Sequence, residues 1–86
     1  MLELRLRSGT VVAFDGRVVE IFAEREPSRR FHIAQVGVPE AVENADGGRT
    51  LRLESGSVTL AFSREEAPAC ARLLAAIADA HAALER

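Results

Sequence analysis

The residues best suited to binding a charged ligand form one short basic cluster. Arg25, Arg29 and Arg30 lie in a single segment, interrupted by Glu24 and Glu26, which partly neutralise it. A guanidinium group presents a planar fork of donors that fits phosphate and carboxylate groups. The sequence therefore offers Arg25, Arg29 and Arg30 as candidate anion-binding residues. The chain contains no Tyr or Trp that could stack on nucleic-acid bases.

Side chains that commonly perform catalysis or bind metals are few and dispersed. The two histidines, His32 and His81, and the one cysteine, Cys70, are not at metal-ligand spacing. Cys70 falls on the apolar stripe of a predicted helix, where a thiol usually packs as a small hydrophobe. His81 lies near the end of that helix, where an imidazolium would favour the negative terminus. We therefore expect no catalytic residue, metal or cofactor, and predict that the protein is not an enzyme.

The length, composition and charge of the chain restrict its domain number, its possible partners and its expected location. Eighty-six residues, 48% of them hydrophobic and 28% charged, suit a single globular domain spanning residues 1–86. A net charge of -2 provides no global field for nucleic acid or anionic membranes, so we expect no nucleic-acid partner and regard lipid as an unfavoured one. One cysteine permits no intrachain disulfide, and no signal-peptide or membrane-span pattern is present, so we expect a cytoplasmic location.

The first half of the chain has the pattern of strands joined by tight turns. Leucines alternate with charged residues over residues 2–7, which is the period of a strand with one face in water. Ser8-Gly9 and Asp15-Gly16 supply turns, and Asp-Gly is a strong hairpin signal because both residues tolerate positive φ. Further strands are predicted over residues 10–14, 17–24 and 30–36, with Phe31 and Ile33 on one face of the last.

The second half predicts three more strands and a helix. Pro39 cannot donate a ladder hydrogen bond, so a strand within residues 37–44 should lie at an edge or begin after the proline. Alternation over residues 51–53 and 58–62 around Ser55-Gly56 predicts a hairpin. From Ser63 the period becomes about 3.6, which predicts the one helix, over about residues 64–84. Its apolar stripe holds Cys70, Leu73, Leu74, Ile77 and Leu84.

Two further features belong to this helix. Ser63 and Glu66 fit a capping box, while Pro68 is tolerated only in the first turn, so the helix should begin nearer Ala67. A strip of small residues also lies beside the apolar stripe, formed by Ala71, Ala75, Ala78 and Ala82. Small side chains allow another backbone to approach closely. The alternative explanation is high helix propensity with close packing onto the sheet.

Seven candidate strands followed by one C-terminal helix resemble the bacterial branch of the pleckstrin-homology-like superfold. The resemblance is carried by FDGRVVEI (residues 14–21), RFHIAQV (residues 30–36) and VTLAF (residues 58–62). It implies an α+β, mainly β domain in which two packed antiparallel sheets form a partly open barrel capped by the helix. The most similar members are small bacterial domains of unknown function, for which interaction or assembly roles are implied. The turn at Ser8-Gly9-Thr10 lacks the basic residues with which lipid-binding members hold inositol phosphates.

These observations favour a non-catalytic interaction or assembly module whose partner is another protein or a second copy of itself. The candidate interaction surface comprises the strip Ala71, Ala75, Ala78 and Ala82 together with Val38 and Val42 near the expected edge strand. Homodimerisation is the simplest form of this hypothesis. The alternative is binding of a small anionic ligand or lipid headgroup through Arg25, Arg29 and Arg30.

Overall fold

Seven antiparallel strands form two sheets that do not close into a barrel. A computed structural model of the chain describes residues 1–53 and 58–84. The first sheet holds, in sequential order, β1 (Leu2–Arg5), β2 (Val11–Phe14), β3 (Val18–Phe22) and β4 (Arg29–His32). The second holds β5 (Glu40–Glu43), β6 (Arg49–Leu53) and β7 (Val58–Phe62), and the C-terminal helix follows. The α+β, mainly β class predicted from the sequence is confirmed.

The β2–β3 hairpin turns where the Asp-Gly pair predicts it. Asp15 Oδ1 accepts the backbone N–H groups of Arg17 and Val18, each at 2.8 Å. Gly16 adopts a φ of 101°, which an L side chain rarely adopts. These bonds set the register in which Phe14 faces Val19.

A second turn, between β5 and β6, is packed more tightly. Asp46 Oδ1 accepts the N–H of Gly48 at 2.9 Å, and Asn44 N–H donates to Gly48 O at 2.9 Å. Gly48 itself is buried against the end of β7, where a Cβ atom would lie 2.5 Å from the carbonyl oxygen of Phe62. The glycine is therefore required by close approach of two backbones.

The position of β5 follows from Pro39. The strand begins at Glu40, immediately after the proline, and pairs only with β6 at the edge of its sheet. This confirms both alternatives that the missing N–H group suggested. The predicted hairpin of β6 and β7 is also present, with Leu51 opposite Leu60. Its Ser55-Gly56 turn lies outside the described residues.

The predicted fourth strand is wrong over its second half. β4 ends at His32, and a single helical turn, α1 (Ile33–Val36), replaces the expected strand. His32 Nδ1 accepts the N–H of Ala34 at 3.1 Å, and Gly37, with a φ of 67°, ends the turn. Ile33 is fully buried in α1, and a buried apolar residue fits a strand as well as a helix, so its hydrophobicity alone could not distinguish the two.

The long helix, α2 (Ala67–Leu84), begins where Pro68 indicates. A 3-10 turn, Arg64–Glu66, precedes it. The Glu66 carboxylate accepts the backbone N–H of Ser63 at 3.0 Å, which is the reciprocal bond of the predicted capping box. Its second oxygen accepts the N–H of Arg7 at 2.9 Å, so the same side chain joins the helix start to the β1–β2 turn.

The core lies between the two sheets and one stripe of α2. Its fully buried members include Val12 and Val19 from the first sheet and Leu51 and Leu53 from the second. From α2 the buried residues are Cys70, Leu73 and Ile77. Leu74 is half-buried, but Leu84 is 49% exposed, so its predicted place on the buried stripe is wrong. Angular position places Leu84 toward the core, but it lies at the end of the described helix, where little of the domain covers it.

Candidate functional site

One face of α2, formed by Ala71, Ala75, Ala78 and Ala82 beside the buried stripe, is largely uncovered by the described part of the chain. Within this 18-residue helix only three residues are buried. Of the predicted small-residue strip, Ala71, Ala75 and Ala82 are exposed and Ala78 is half-buried. The alanines that pack against the core are others, namely Ala69, Ala76 and Ala80. Close packing onto the sheet therefore explains the second set and leaves the predicted strip open to a partner.

The composition of α2 is unusual for a helix so little covered. Contrary to the expectation that no segment approaches a membrane span, the stretch Arg64–Leu84 is long and apolar enough to cross a membrane by length and composition alone. Its mean hydropathy is 1.2, and 17% of its most apolar part is buried. One such helix is weak evidence of a span, because core helices meet the same criterion. Contacts of α2 with α1 and β6 show that one side of it packs against the rest of the domain.

Two charged side chains border the uncovered face. Arg72 and Asp79 are exposed and lie two helical turns apart, on the same side of α2. In the described part of the chain, neither residue forms an ion pair. The face therefore combines small apolar residues with one unpaired charge of each sign.

The second predicted surface, near β5, is open as well. Val38 is 52% exposed and Val42 is half-buried. The outer edge of β5 is flanked by the exposed Glu40 and Glu43, and Glu43 lies 3.5 Å from the guanidinium of Arg49. Charged residues on a short edge strand oppose pairing with another strand. The β5 edge is thus accessible but poorly suited to strand addition.

The three candidate arginines do not converge. In the β3–β4 register Arg29 lies opposite Ile21, whereas Arg30 lies opposite Glu20. Opposed residues share a face and successive residues alternate, so Arg29 points to the core side and Arg30 to the outer side. Arg30 Nε lies 3.8 Å from Glu20 Oε2. Arg25 lies in the exposed β3–β4 loop.

Arg29 instead borders a cavity of about 370 Å³ between the end of the first sheet and β7. Its apolar lining comes from Ile21, Ala23, Val58 and Leu60. Its polar lining includes Glu26, Arg29 and Thr59. The sequence contained a usable signal, since Arg29 is two residues from Phe31 and must share its face in a strand. The partner residues on β7 could not be found without the packing of the two sheets.

Cys70 and His32, the other side chains considered for catalysis or metal binding, take part in packing and helix capping. Cys70 is 2% exposed, and burial raises the pKa of its thiol, an effect that the charge of Arg49 partly opposes. The neutral thiol is the form that packs well and reacts slowly. His32 caps α1 through Nδ1. Within residues 1–53 and 58–84 no three His, Cys, Asp or Glu side chains are placed to hold a metal ion.

No family model matches the sequence, and neither the curated proteins nor the solved structures contain a match.

Proposed function

We propose that this domain is a non-catalytic assembly module that pairs with a second copy of itself through the uncovered face of α2. The observation that carries the proposal is the contrast between the apolar composition of α2 and its burial. In α2 only Cys70, Leu73 and Ile77 are fully buried, and three of the four alanines of the small-residue strip are left exposed to water. Burial of that strip against another apolar face would be favourable.

The charges on this face favour a two-fold pairing of antiparallel helices. Ala75 lies close to midway between Arg72 and Asp79 along α2. In an antiparallel pair centred near Ala75, residues on one flank meet the same flank of the other helix, so each Arg72 would approach the partner's Asp79. Small side chains at the centre allow the two backbones to come close. The face is therefore self-complementary in both shape and charge.

Sedimentation velocity over a range of protein concentrations tests this proposal. The wild-type chain should show a concentration-dependent monomer–dimer equilibrium. Ala75→Glu places a carboxylate at the centre of the interface while keeping a good helix former, and should abolish dimers. Ala45→Glu is the matched control, because Ala45 is exposed in the β5–β6 turn and lies outside α2. It should dimerise like the wild type.

Charge reversal adds a test of geometry. Arg72→Glu and Asp79→Arg should each weaken the dimer, since each places like charges opposite one another, and the double variant should restore it. A wild-type protein that stays monomeric at the highest attainable concentration would overturn the proposal. Equal dimerisation of the Ala75 and Ala45 variants would exclude α2 as the interface.

Binding of an anion by the three arginines together receives less support. Arg29 and Arg30 point to opposite faces of the first sheet, and Arg30 is near Glu20. A single phosphate could not engage both without a change of strand conformation. Vesicles containing anionic lipid, added at low salt, should therefore bind no better than neutral vesicles.

We also propose that the domain is pleckstrin-homology-like. The support is the order of elements, in which a four-stranded meander, a three-stranded meander and a C-terminal helix follow one another. An experimental structure compared with known domains of that superfold tests the assignment. A different relative orientation of the two sheets would reject it.

A further inference from the structure

We propose that the cavity between the first sheet and β7 binds a small aliphatic zwitterion, either a free amino acid or a short peptide. The site is separate from the proposed dimer surface, because none of its lining residues belongs to α2. It therefore stands whether or not the protein dimerises.

The cavity has an apolar floor. Ile21 and Ala23 line it from β3 and the segment that follows, and Val58 and Leu60 line it from β7. Ile21 is 7% exposed and Leu60 is 4% exposed, so each presents a small apolar surface to the cavity, and this floor is continuous with the core. An aliphatic side chain placed on this floor would leave water for an apolar surface.

The rim carries one charge of each sign. Glu26 and Arg29 both line the cavity and both are exposed, so neither charge has been taken out of water. Among the described residues no ion pair joins them, and neither pairs elsewhere. An ammonium group could approach Glu26 while a carboxylate approaches the guanidinium of Arg29. Charge-assisted hydrogen bonds of this kind are stronger than neutral ones.

Size and charge together select the ligand class. At about 370 Å³ the cavity lies near the lower end of small-molecule sites, which span roughly 300–1,000 Å³. A simple anion would leave Glu26 as a repulsive neighbour and the apolar floor empty. A zwitterion with an aliphatic side chain satisfies all three features of the cavity.

Titration of the protein with L-leucine and with the dipeptide Leu-Leu, followed by amide chemical shifts, tests the proposal. The ligand with the lower Kd shows whether the cavity prefers a free amino acid or a short peptide. Either one should shift the signals of Thr10, Ala23 and Thr59, which line the cavity. N-acetyl-leucine lacks the ammonium group and leucinamide lacks the carboxylate. Each should bind about tenfold more weakly than leucine, because one charge-assisted contact is lost.

Variants assign each charge to its residue. Arg29→Gln should weaken leucine binding about tenfold but should not weaken leucinamide binding, because leucinamide has no carboxylate for the guanidinium to hold. Glu26→Gln should weaken leucine binding but should strengthen N-acetyl-leucine binding slightly, because a carboxylate that repels this anion is removed. Arg25→Gln is the matched control, since Arg25 is exposed in the same loop and does not line the cavity. It should bind leucine as the wild type does.

Two results would overturn the proposal. One is the absence of shifts at the cavity with both leucine and Leu-Leu. The other is inorganic phosphate binding as tightly as leucine with no effect of Glu26→Gln, which would make the site a simple anion site.

Discussion

The Glu66 carboxylate accepts the backbone N–H of Arg7 at 2.9 Å, across 59 positions of sequence. The same carboxylate accepts the N–H of Ser63 at 3.0 Å. One side chain therefore caps the start of α2 and fixes it to the β1–β2 turn. This relationship holds the helix in place at one end, while its uncovered face remains available along its length.

Glu66→Ala should destabilise the domain by about 1 kcal/mol, because it removes a helix cap together with a contact between distant segments. Urea unfolding followed by circular dichroism measures the change. Glu65→Ala is the matched control. Glu65 is exposed, and its one ion pair, to a guanidinium nitrogen of Arg7 at 3.6 Å, is exposed to solvent as well and should contribute little to stability. Equal losses in the two variants would show that the bond to Arg7 N–H contributes nothing.

Acid should weaken the fold through Asp15 and Glu66. Hydrogen bonds from Val18 and Arg17 lower the pKa of Asp15, and the bond from Ser63 chiefly lowers the pKa of Glu66. A carboxyl whose pKa is lower in the folded state stabilises that state above its unfolded pKa, and this contribution is lost as pH falls through the folded value. The free energy of unfolding should therefore drop below about pH 4.

Urea titrations at neutral pH and under acid conditions measure this dependence. Asp15→Asn keeps an acceptor oxygen but cannot be protonated in this range, so its acid loss should be smaller than that of the wild type. An unchanged acid loss in this variant would contradict the role given to Asp15.

Gly48→Ala should cost about 1–3 kcal/mol through overpacking. The added Cβ would lie 2.5 Å from Phe62 O and 3.1 Å from Asp46 Oδ1, so β7 or the turn must move. Thermal unfolding measures the loss. Ala45→Ser, at an exposed position of the same turn, should change stability by less than about 0.5 kcal/mol. Wild-type stability of Gly48→Ala would show that the backbones are not so close.

Cys70 should react with iodoacetamide at least about a thousandfold more slowly in the folded protein than in urea, because alkylation requires opening of the core. Burial holds the thiol protonated by raising its pKa, which slows the reaction further. Mass spectrometry of the time course measures both rates. Similar rates in the two states would place Cys70 at the surface.

Much of the fold could be predicted because its signals are local. The alternation of leucines in β1, the Asp15-Gly16 turn and the missing N–H of Pro39 each act within a few residues. The segment of α1 was wrongly predicted as a strand, because the cap from His32 competes with a strand pattern that Ile33 satisfies equally well. Leu84 was wrongly predicted to be buried. Helical periodicity shows on which side of α2 a residue lies, but it does not show how far along the helix the two sheets extend to cover that side.

The candidate sites depended more on packing. Proximity in sequence grouped Arg29 with Arg30, whereas strand pleating separates them and places Arg29 beside residues of β7. The small-residue strip was visible in the sequence, but its exposure was not. Nothing in the spacing of the alanines distinguishes the flank that packs on the core from the one that does not.

The sequence by itself determined the number of strands, the Asp15-Gly16 turn, the start of the helix and the side chains with an apolar preference, because these follow from backbone conformation and local periodicity. Tertiary structure alone decided which flank of α2 is uncovered, which arginine borders the cavity and which distant backbone Glu66 holds. Those outcomes depend on how two sheets and a helix lie against one another. That arrangement is a property of the whole chain, since no single segment contains both sides of a contact.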